Sequence, residues 1–410
     1  MVRRPRLLRR FVAIVRSDPA GVGAGFVALL LSSGGDLVAG LTLGAITGTL
    51  EALPGLLVLV PAAIGMRGNI FGGLGSRFST AIHAGTFRVS RRLDTLVGQN
   101  VAASLALSLS ISLVLAVLAK AVSVGFGVAN SISIVDFLVI SVVGGILSSI
   151  VVLLVVVVVT VICVRFDLDL DNVSTPIVTA AGDIVTLPSL FLATYLVGVN
   201  GLTPVVAGVC IAAGLAALVM SWRARLPIMR RIVRESVPVL ALAGAVDVIA
   251  GITIQKRIDS FLVYPALLVL VPPFLEDAGA LGGILSARVA TKLHLGTVDL
   301  ARSPWRAVGE DILLVFAYAL PTFLLLGVSA DIVAAVFDLT SPGVLQMIGV
   351  ALLAGAFATT AAVLVGYYGA VATYRLGLDP DNHGIPIVTS SLDFLGALSL
   401  ILAIVILGLS

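Results

Sequence analysis

Charged residues are scarce in this sequence. Asp, Glu, Lys and Arg make up only 11% of the 410 residues, whereas a soluble domain carries about 25%. Hydrophobic residues reach 59% and the mean hydropathy is +1.17, so there is too little polar surface to cover a water-soluble globule. The composition therefore excludes a soluble fold and predicts an all-α polytopic membrane protein. The apolar runs are much longer than a strand, which excludes a β-barrel.

Cysteine and aromatic residues are also few. The 2 cysteines, Cys163 and Cys210, both lie in apolar stretches, which argues against a disulfide framework and against a cysteine metal site. Aromatic residues are 6% of the chain, while glycines number 42, and small residues allow membrane helices to approach closely. The net charge of +3 comes from basic connections between apolar runs. A lipid bilayer is therefore the expected partner, and nucleic acid is not.

Eleven apolar stretches are long enough to cross a membrane, which takes about 20 residues. Most Lys and Arg residues fall in cytoplasmic connections if the N-terminus is inside, as the positive-inside rule requires. The basic start MVRRPRLLRRFVAIVR is interpreted as a cytoplasmic arm and not as a signal peptide, because no small-residue cleavage site follows it. We expect a multi-pass cell-membrane protein with its C-terminus outside. The predicted spans are 22–50, 54–76, 96–120, 132–164, 175–197, 203–222, 236–255, 263–286, 309–337, 343–374 and 385–409.

Three segments of the sequence occur twice. PGLLVLVP at 54–61 returns as PALLVLVP at 265–272, GGDLVAGLTLG at 34–44 as AVDVIAGITIQ at 245–255, and DLDLDNVSTPIVTAAGD at 167–183 as GLDPDNHGIPIVTSSLD at 377–393. The extra span between the copies makes the two units parallel, with a pseudo-two-fold axis along the membrane normal, a plan used by transporters. The predicted organisation is an arm at 1–20, a five-span unit at 21–200, a connecting helix and basic linker at 201–235, and a second unit at 236–410.

The third repeated segment places a carboxylate inside each fifth span. Asp183 and Asp393 lie about 12 Å from the cytoplasmic edge at a rise of 1.5 Å per residue, where a carboxylate costs about 2.5–3.5 kcal/mol. Two such groups facing one aqueous path favour a cation between them. The alternative is a structural contact with a neighbouring helix, or a protonated side chain.

Further oxygen-bearing residues are candidates for the same path. Asp36 and Asp247 form a second repeated pair in the first spans, with a structural role equally open. Thr179 and Thr389 lie one helical turn before the fifth-span aspartates and could orient a hydrated ion or bond back to their own helix. Acidic residues at the cytoplasmic mouth would concentrate cations, or else serve as solvated loops and helix caps with Asn172 and Asn382; they are Asp169, Asp171, Asp379 and Asp381.

The second span of each unit is rich in glycine, which would let its backbone approach a pore. Arg67 occurs only in the first of these spans, and Glu276 and Asp277 only in the second. We hypothesise that Arg67 pairs with one of these acids across the pseudo-axis. His83 and His294 are weaker ligand candidates, because hard oxygen ligands elsewhere favour Mg²⁺ or Ca²⁺.

Each unit resembles the MgtE family of magnesium channels and transporters, including the eukaryotic two-repeat solute carriers. The resemblance rests on PAAIGMRGN in the second span and on PIVTAAGD and PIVTSSLD in the fifth spans, and it covers nearly the whole chain. It implies that Asp183 and Asp393 line a pore and hold hydrated Mg²⁺, with Asn69 and Asp277 as further candidate metal residues. It also implies that the chain is a functional monomer similar to a fused dimer.

Two features depart from that family. The second-span Gly68-Asn69 becomes Gly279-Ala280 in the second unit, so an exactly symmetric site is not expected. The cytosolic sensor domains of single-repeat members have no counterpart in this sequence. The predicted function is Mg²⁺ transport and not enzymatic catalysis. The alternatives are a Na⁺-coupled exchanger, a transporter of another cation and, remotely, an intramembrane aspartyl protease.

Overall fold

The computed structural model describes residues 19–88, 90, 92–166, 170–297, 308–377 and 384–409. This part of the chain is all helix, with 11 helices long and apolar enough to cross a membrane. The eleven predicted spans are thereby confirmed. The helices are α1 (Pro19–Ala45), α2 (Thr47–Ala52), α3 (Leu56–His83), α4 (Leu96–Gly125), α5 (Ile134–Phe166), α6 (Leu170–Thr194), α7 (Leu202–Trp222), α8 (Pro227–Gln255), α9 (Ile258–Val263), α10 (Ala266–His294), α11 (Gly309–Val336), α12 (Val344–Leu376) and α13 (Ile385–Ile406).

Helices α1–α6 and α8–α13 have the same order of long and short elements, and we call them unit one and unit two. Each unit starts with a long helix, followed by a six-residue helix, α2 or α9, and then by four long helices. The short helices were not predicted, because each falls at a gap between two predicted spans and has only six residues. Helix α7 joins the units and packs on α4 and α5 at the edge of the bundle.

The basic linker is part of a transmembrane helix. Pro227 stands in the first turn of α8, which then runs without a break to Gln255. Proline suits this position because the first turn of a helix has no intrahelical use for its N–H groups. Residues 227–235 of the predicted basic linker therefore continue into the first long helix of unit two. Arg230, Arg231 and Arg234 occupy the first turns of α8, whereas Arg223 and Arg225 precede it.

The two units interlock through their first helices. Helix α1 packs against α10 of unit two, and α8 packs against α3 of unit one. A Cβ on Gly40 would lie 2.1 Å from the carbonyl oxygen of Val269, and a Cβ on Gly251 would lie 2.4 Å from that of Val58. Only glycine permits this approach, and such reciprocal contacts are what a two-fold relation produces. The crossings bring residues of both units to the centre of the bundle.

Candidate functional site

Unit one holds a pair of buried carboxyl groups, Asp36 on α1 and Asp183 on α6. Both side chains are fully buried, and their oxygens accept no hydrogen bond from the described residues. The two groups face each other at hydrogen-bonding range. Because two buried carboxylates repel and have lost their water, this arrangement needs a cation or a proton to be stable.

Unit two repeats the arrangement with Asp247 on α8 and Asp393 on α13. An Oδ2 atom of each lies close to the place where a Cβ on Gly65 of α3 would stand, at 3.4 Å for Asp247 and 3.5 Å for Asp393. Asp247 is fully buried without a hydrogen-bond donor in the described part of the chain, whereas Asp393 keeps 6% exposure. The glycine leaves room for both acids to approach α3.

The pairing differs in detail from the sequence-based expectation. Asp183 and Asp393 were expected to face each other across the axis as two halves of one site. Asp183 interacts with Asp36 and Asp393 interacts with Asp247, each the first-helix aspartate of its own unit, and Asp393 also repels Asp183. The first-span aspartates therefore belong to the same central cluster as the fifth-span aspartates.

Unit two adds two acids on α10. Glu276 stands at the position that Gly65 occupies in unit one, and it lies near enough to act on the aspartates of both pairs. Asp277 accepts a hydrogen bond of 2.5 Å from the hydroxyl of Ser33 on α1, and its second oxygen has no donor among the described residues. Six carboxyl groups thus meet at the centre of the bundle.

These acids are spread out and do not form a tight ligand cage. Within the described ranges, no group of three or more His, Cys, Asp or Glu side chains is placed to hold a metal ion directly. A cation here would have to be shared between pairs or held through its own water. Mg²⁺ gives up water reluctantly and is commonly bound with several waters retained.

Accessible residues of α3 and α10 form two stripes that begin at the acidic cluster. The stripes repeat every three or four residues, which is one face of a helix, and they run toward the basic ends at Arg77 and Arg288. Residues 56–64 and 266–275, on the other side of the cluster, are all buried. The stripes consist of Gly65, Gly68, Asn69, Gly72, Gly73, Ser76, Arg77 and Thr80 on α3, and of Glu276, Ala280, Gly283, Ile284, Ala287, Arg288 and Thr291 on α10.

The composition of the stripes indicates contact with water. A surface facing lipid would carry large apolar side chains, and α5, for example, exposes Leu154 and Val158. The α3 stripe instead contains glycine, asparagine, serine and arginine, in one of the two most buried long helices. We interpret the stripes as the walls of a polar groove that leads from the acids to one end of the bundle, with Asn69 on its surface.

The two threonines pack against the second-helix glycines. Side-chain carbons of Thr179 and Thr389 lie 3.8 Å and 3.7 Å from the Cβ positions of Gly68 and Gly279. The Thr389 hydroxyl donates to the carbonyls of Ile385 and Pro386 at 3.1 Å and 3.2 Å. That hydroxyl therefore bonds back to its own helix, which is the simpler of the two roles considered for it.

The hypothesis that Arg67 pairs with Glu276 or Asp277 is wrong. Its guanidinium turns into unit one and donates to three serine hydroxyls on α4 and α5, at 2.8 Å to Ser108, 2.8 Å to Ser112 and 3.1 Å to Ser148. The side chain is 1% exposed. A spacing of four residues between serines in the apolar helix α4 could have indicated this polar face.

The histidines do not reach the cluster. The Nδ1 atoms of His83 and His294 lie 3.0 Å and 2.8 Å from the carbonyls of Ser79 and Ala290, one turn earlier on their own helices. Both stand at the last residue of a long helix. The acidic residues expected at the cytoplasmic mouth lie outside the part of the chain that the structure describes. They are Asp169, Asp379 and Asp381, together with Asn382 and the side chains of Asp171 and Asn172.

Comparison with known proteins identifies both units. A family model named MgtE and described as a divalent cation transporter matches residues 60–193 and 271–403, one block in each unit. Solute carrier family 41 member 3 of Rattus norvegicus is 25% identical over 406 residues, covering 90% of this chain and 84% of that protein. Solute carrier family 41 member 2 of Gallus gallus is 24% identical over 399 residues, covering 90% and 67%.

Proposed function

Because the chain belongs to the MgtE family of divalent cation transporters, we propose that it moves Mg²⁺ across the membrane between its two units. The ion is held by the pairs Asp36–Asp183 and Asp247–Asp393, assisted by Glu276. The observation that carries the proposal is the set of buried carboxyl groups without donors at the centre of the bundle. The chain is a transporter and not an enzyme, so the protease alternative is set aside.

The chemistry of the cluster supports Mg²⁺ as the cargo. All the side chains at the centre offer oxygen, the ligand that Mg²⁺ and Ca²⁺ prefer, while zinc and copper favour nitrogen and sulfur. The carboxyl groups are too dispersed to replace a full hydration shell. They suit an ion that keeps its waters and is recognised through them, with Asn69 and Asp277 as polar neighbours of the same path.

The groove gives the path a direction. The stripes on α3 and α10 open the acidic cluster toward Arg77 and Arg288, the end predicted to be cytoplasmic by the positive-inside rule. The buried residues on the other side support a conformation closed to the outside. Transport then requires that the buried segments 56–64 and 266–275 move apart while the groove closes, as alternating access demands.

Coupled exchange with Na⁺ is the second candidate mechanism. It is favoured by the presence of two carboxyl pairs that differ in their surroundings, because Asp277 lies near Asp36 of the first pair, while Glu276 acts on both pairs. Two unlike sites allow two ions to bind with different preference. A single-file channel needs no such difference.

Mg²⁺ flux into proteoliposomes tests the proposal. Asp183→Asn and Asp393→Asn are expected to reduce flux at least tenfold, since each removes half of a buried pair, and Asp36→Asn and Asp247→Asn should do the same. Asp94→Asn is the matched control, because this side chain is 63% exposed on a connecting segment. A Na⁺ gradient that changes wild-type flux would favour exchange. Normal flux in all four well-folded variants would refute the path.

A further inference from the structure

The basic end of unit two contains a closed ion cluster. Arg288 donates from Nε to Asp311 Oδ1 at 2.8 Å, and the ammonium group of Lys292 contacts the other oxygen. The Asp311 side chain is 1% exposed, so the two cations cover it completely. Arg288 and the longer side chain of Lys292 both have a carboxylate partner here, and the three side chains belong to unit two alone.

Unit one lacks two of these three groups. The repeat aligns Arg77 with Arg288, but it replaces Asp311 with Asn100 and Lys292 with Ala81. Arg77 donates to the Asn100 amide oxygen at 2.7 Å and to the Ser104 hydroxyl at 3.4 Å. Neither acceptor carries a charge, and no carboxylate of the described residues lies within ion-pair distance of Arg77. The substitution of a methyl group for a lysine side chain also leaves space.

That space is a cavity of about 340 Å³ between the end of α3, the start of α4 and the start of α8. Arg231 of α8 lies at its edge, where it pairs with Glu235 at 2.9 Å. Since this pair is neutral, the cavity keeps one net positive charge from Arg77. Hydroxyl and amide groups of Thr80, Thr86, Asn100 and Ser236 also face the cavity, whose lining is otherwise mostly apolar and includes Leu96, Ile228 and Ile232.

The first turns of α8 are fixed against this wall. The side-chain oxygen of Gln99 accepts from the backbone N–H groups of Ile228 and Met229 at 3.1 Å and 3.4 Å. The start of a helix also carries a partial positive charge. A pre-formed cavity with a cationic interior therefore stands at the end of the membrane-spanning helices, the level at which lipid headgroups lie.

We propose that this cavity binds a phosphate group, supplied by an anionic lipid headgroup or by a soluble phosphate. A guanidinium binds phosphate through paired N–H groups, and basic pockets between membrane helices on the cytoplasmic side accept anionic headgroups. The volume exceeds what a halide ion fills and matches a small polar headgroup. A phosphate group bound in the cavity would link the start of α8 to unit one.

The second unit supplies the design of the test variant. Ala81→Lys with Asn100→Asp copies the arrangement of Lys292 and Asp311, which fills the cavity and gives Arg77 a carboxylate partner, while the net charge of the three positions stays at +1. Arg77→Gln is a second variant that removes the charge and keeps the space. Arg225→Gln removes one positive charge from the exposed linker outside the cavity and serves as the matched control.

Thermal unfolding of the full chain in detergent with EDTA gives the readout. Dioctanoyl phosphatidic acid, inorganic phosphate and dioctanoyl phosphatidylcholine are titrated separately. We expect a saturable rise of the wild-type Tm with phosphatidic acid and no rise with phosphatidylcholine. In both cavity variants the apparent affinity for phosphatidic acid should fall by about tenfold or more, because a charge-assisted hydrogen bond is lost. The Arg225→Gln control should respond like the wild type.

The outcomes separate the two sources of phosphate. A response to phosphatidic acid alone identifies a lipid site, and an equal response to inorganic phosphate identifies a soluble ligand. The proposal is overturned if neither compound raises the wild-type Tm, or if the cavity variants respond as strongly as the control. The ligand-free Tm of the double variant shows whether it folds, and Arg77→Gln decides the question if it does not.

Discussion

Replacing Asp247 with asparagine tests whether the central carboxyl groups are charged and await a cation. The Oδ2 atoms of Asp247 and Asp393 lie 3.4 Å and 3.5 Å from one point beside Gly65, so they are at most about 7 Å apart. Two full charges at that separation repel by about 2 kcal/mol at an effective dielectric constant of about 20. Asparagine keeps the shape and removes one charge, so the variant should be more stable than the wild type by about 2 kcal/mol without Mg²⁺.

Addition of Mg²⁺ should reverse that order. A ligand that binds only the folded state stabilises it by about 2.7 kcal/mol at a hundred times its Kd, and the variant loses much of this gain because it has lost one carboxylate of the pair. The assay is thermal unfolding of the purified chain across a Mg²⁺ titration above neutral pH, with Asp94→Asn as the control. The reasoning is refuted if Asp247→Asn melts below the wild type without Mg²⁺, or gains as much from the ion.

Three other substitutions test the packing, each by the free energy of unfolding in detergent. Ser112→Ala should cost about 1.5–3 kcal/mol, because it leaves a buried N–H of Arg67 without its acceptor; an unchanged midpoint would contradict the serine contacts. Gly40→Ala should cost about 1–3 kcal/mol or more, since its Cβ would lie 2.1 Å from a carbonyl oxygen, whereas Gly48→Ala meets nothing within 4 Å and should be neutral. Asp311→Asn should cost about 1–3 kcal/mol, an effect that shrinks as NaCl is raised because both cationic partners are partly exposed.

The spans and the duplication were predictable because they depend on local properties of the chain. Length and apolar composition alone define a membrane helix, and the repeated segments aligned the units before any contact was known. The break between α1 and α3 was also expected, between the spans 22–50 and 54–76, because residues 47–54 include Thr, Gly, Glu and Pro. That this segment forms the six-residue helix α2 was not predicted.

Which side chains meet was a different question, since it depends on contacts between distant segments. The sequence identified Asp36, Asp183, Asp247 and Asp393 as repeated acids, but it could not show that each first-helix acid pairs with the fifth-helix acid of its own unit. That pairing follows from the packing of α1 on α6 and of α8 on α13. Arg67 was assigned to an acidic partner because charge was considered before the uncharged serines of α4.

Fusion of the units into one chain allows the two halves of the path to differ, and three consecutive positions beside the acidic cluster do so. A homodimer must place the same residue on both sides of its axis, whereas here Gly65, Met66 and Arg67 stand opposite Glu276, Asp277 and Ala278. The residues that contact these three positions also differ between the two units. Ser33 donates to Asp277, while its counterpart Gly244 lies near the sulfur of Met66; Ser112 binds Arg67, while its counterpart Phe323 packs on Phe274.

Because the contacting residues change together with these three positions, each unit has its own complete set of side-chain contacts at this place. The three positions carry one positive charge in unit one, held away from the path in its serine pocket, and two acids in unit two. Glu276 acts on both carboxyl pairs, whereas Asp277 acts on Asp36 of the first pair. On the proposed path, a cation at the first pair would therefore meet more negative charge, and that pair would be its preferred binding site. A symmetric dimer could not provide two sites of unequal affinity without first distorting its own axis.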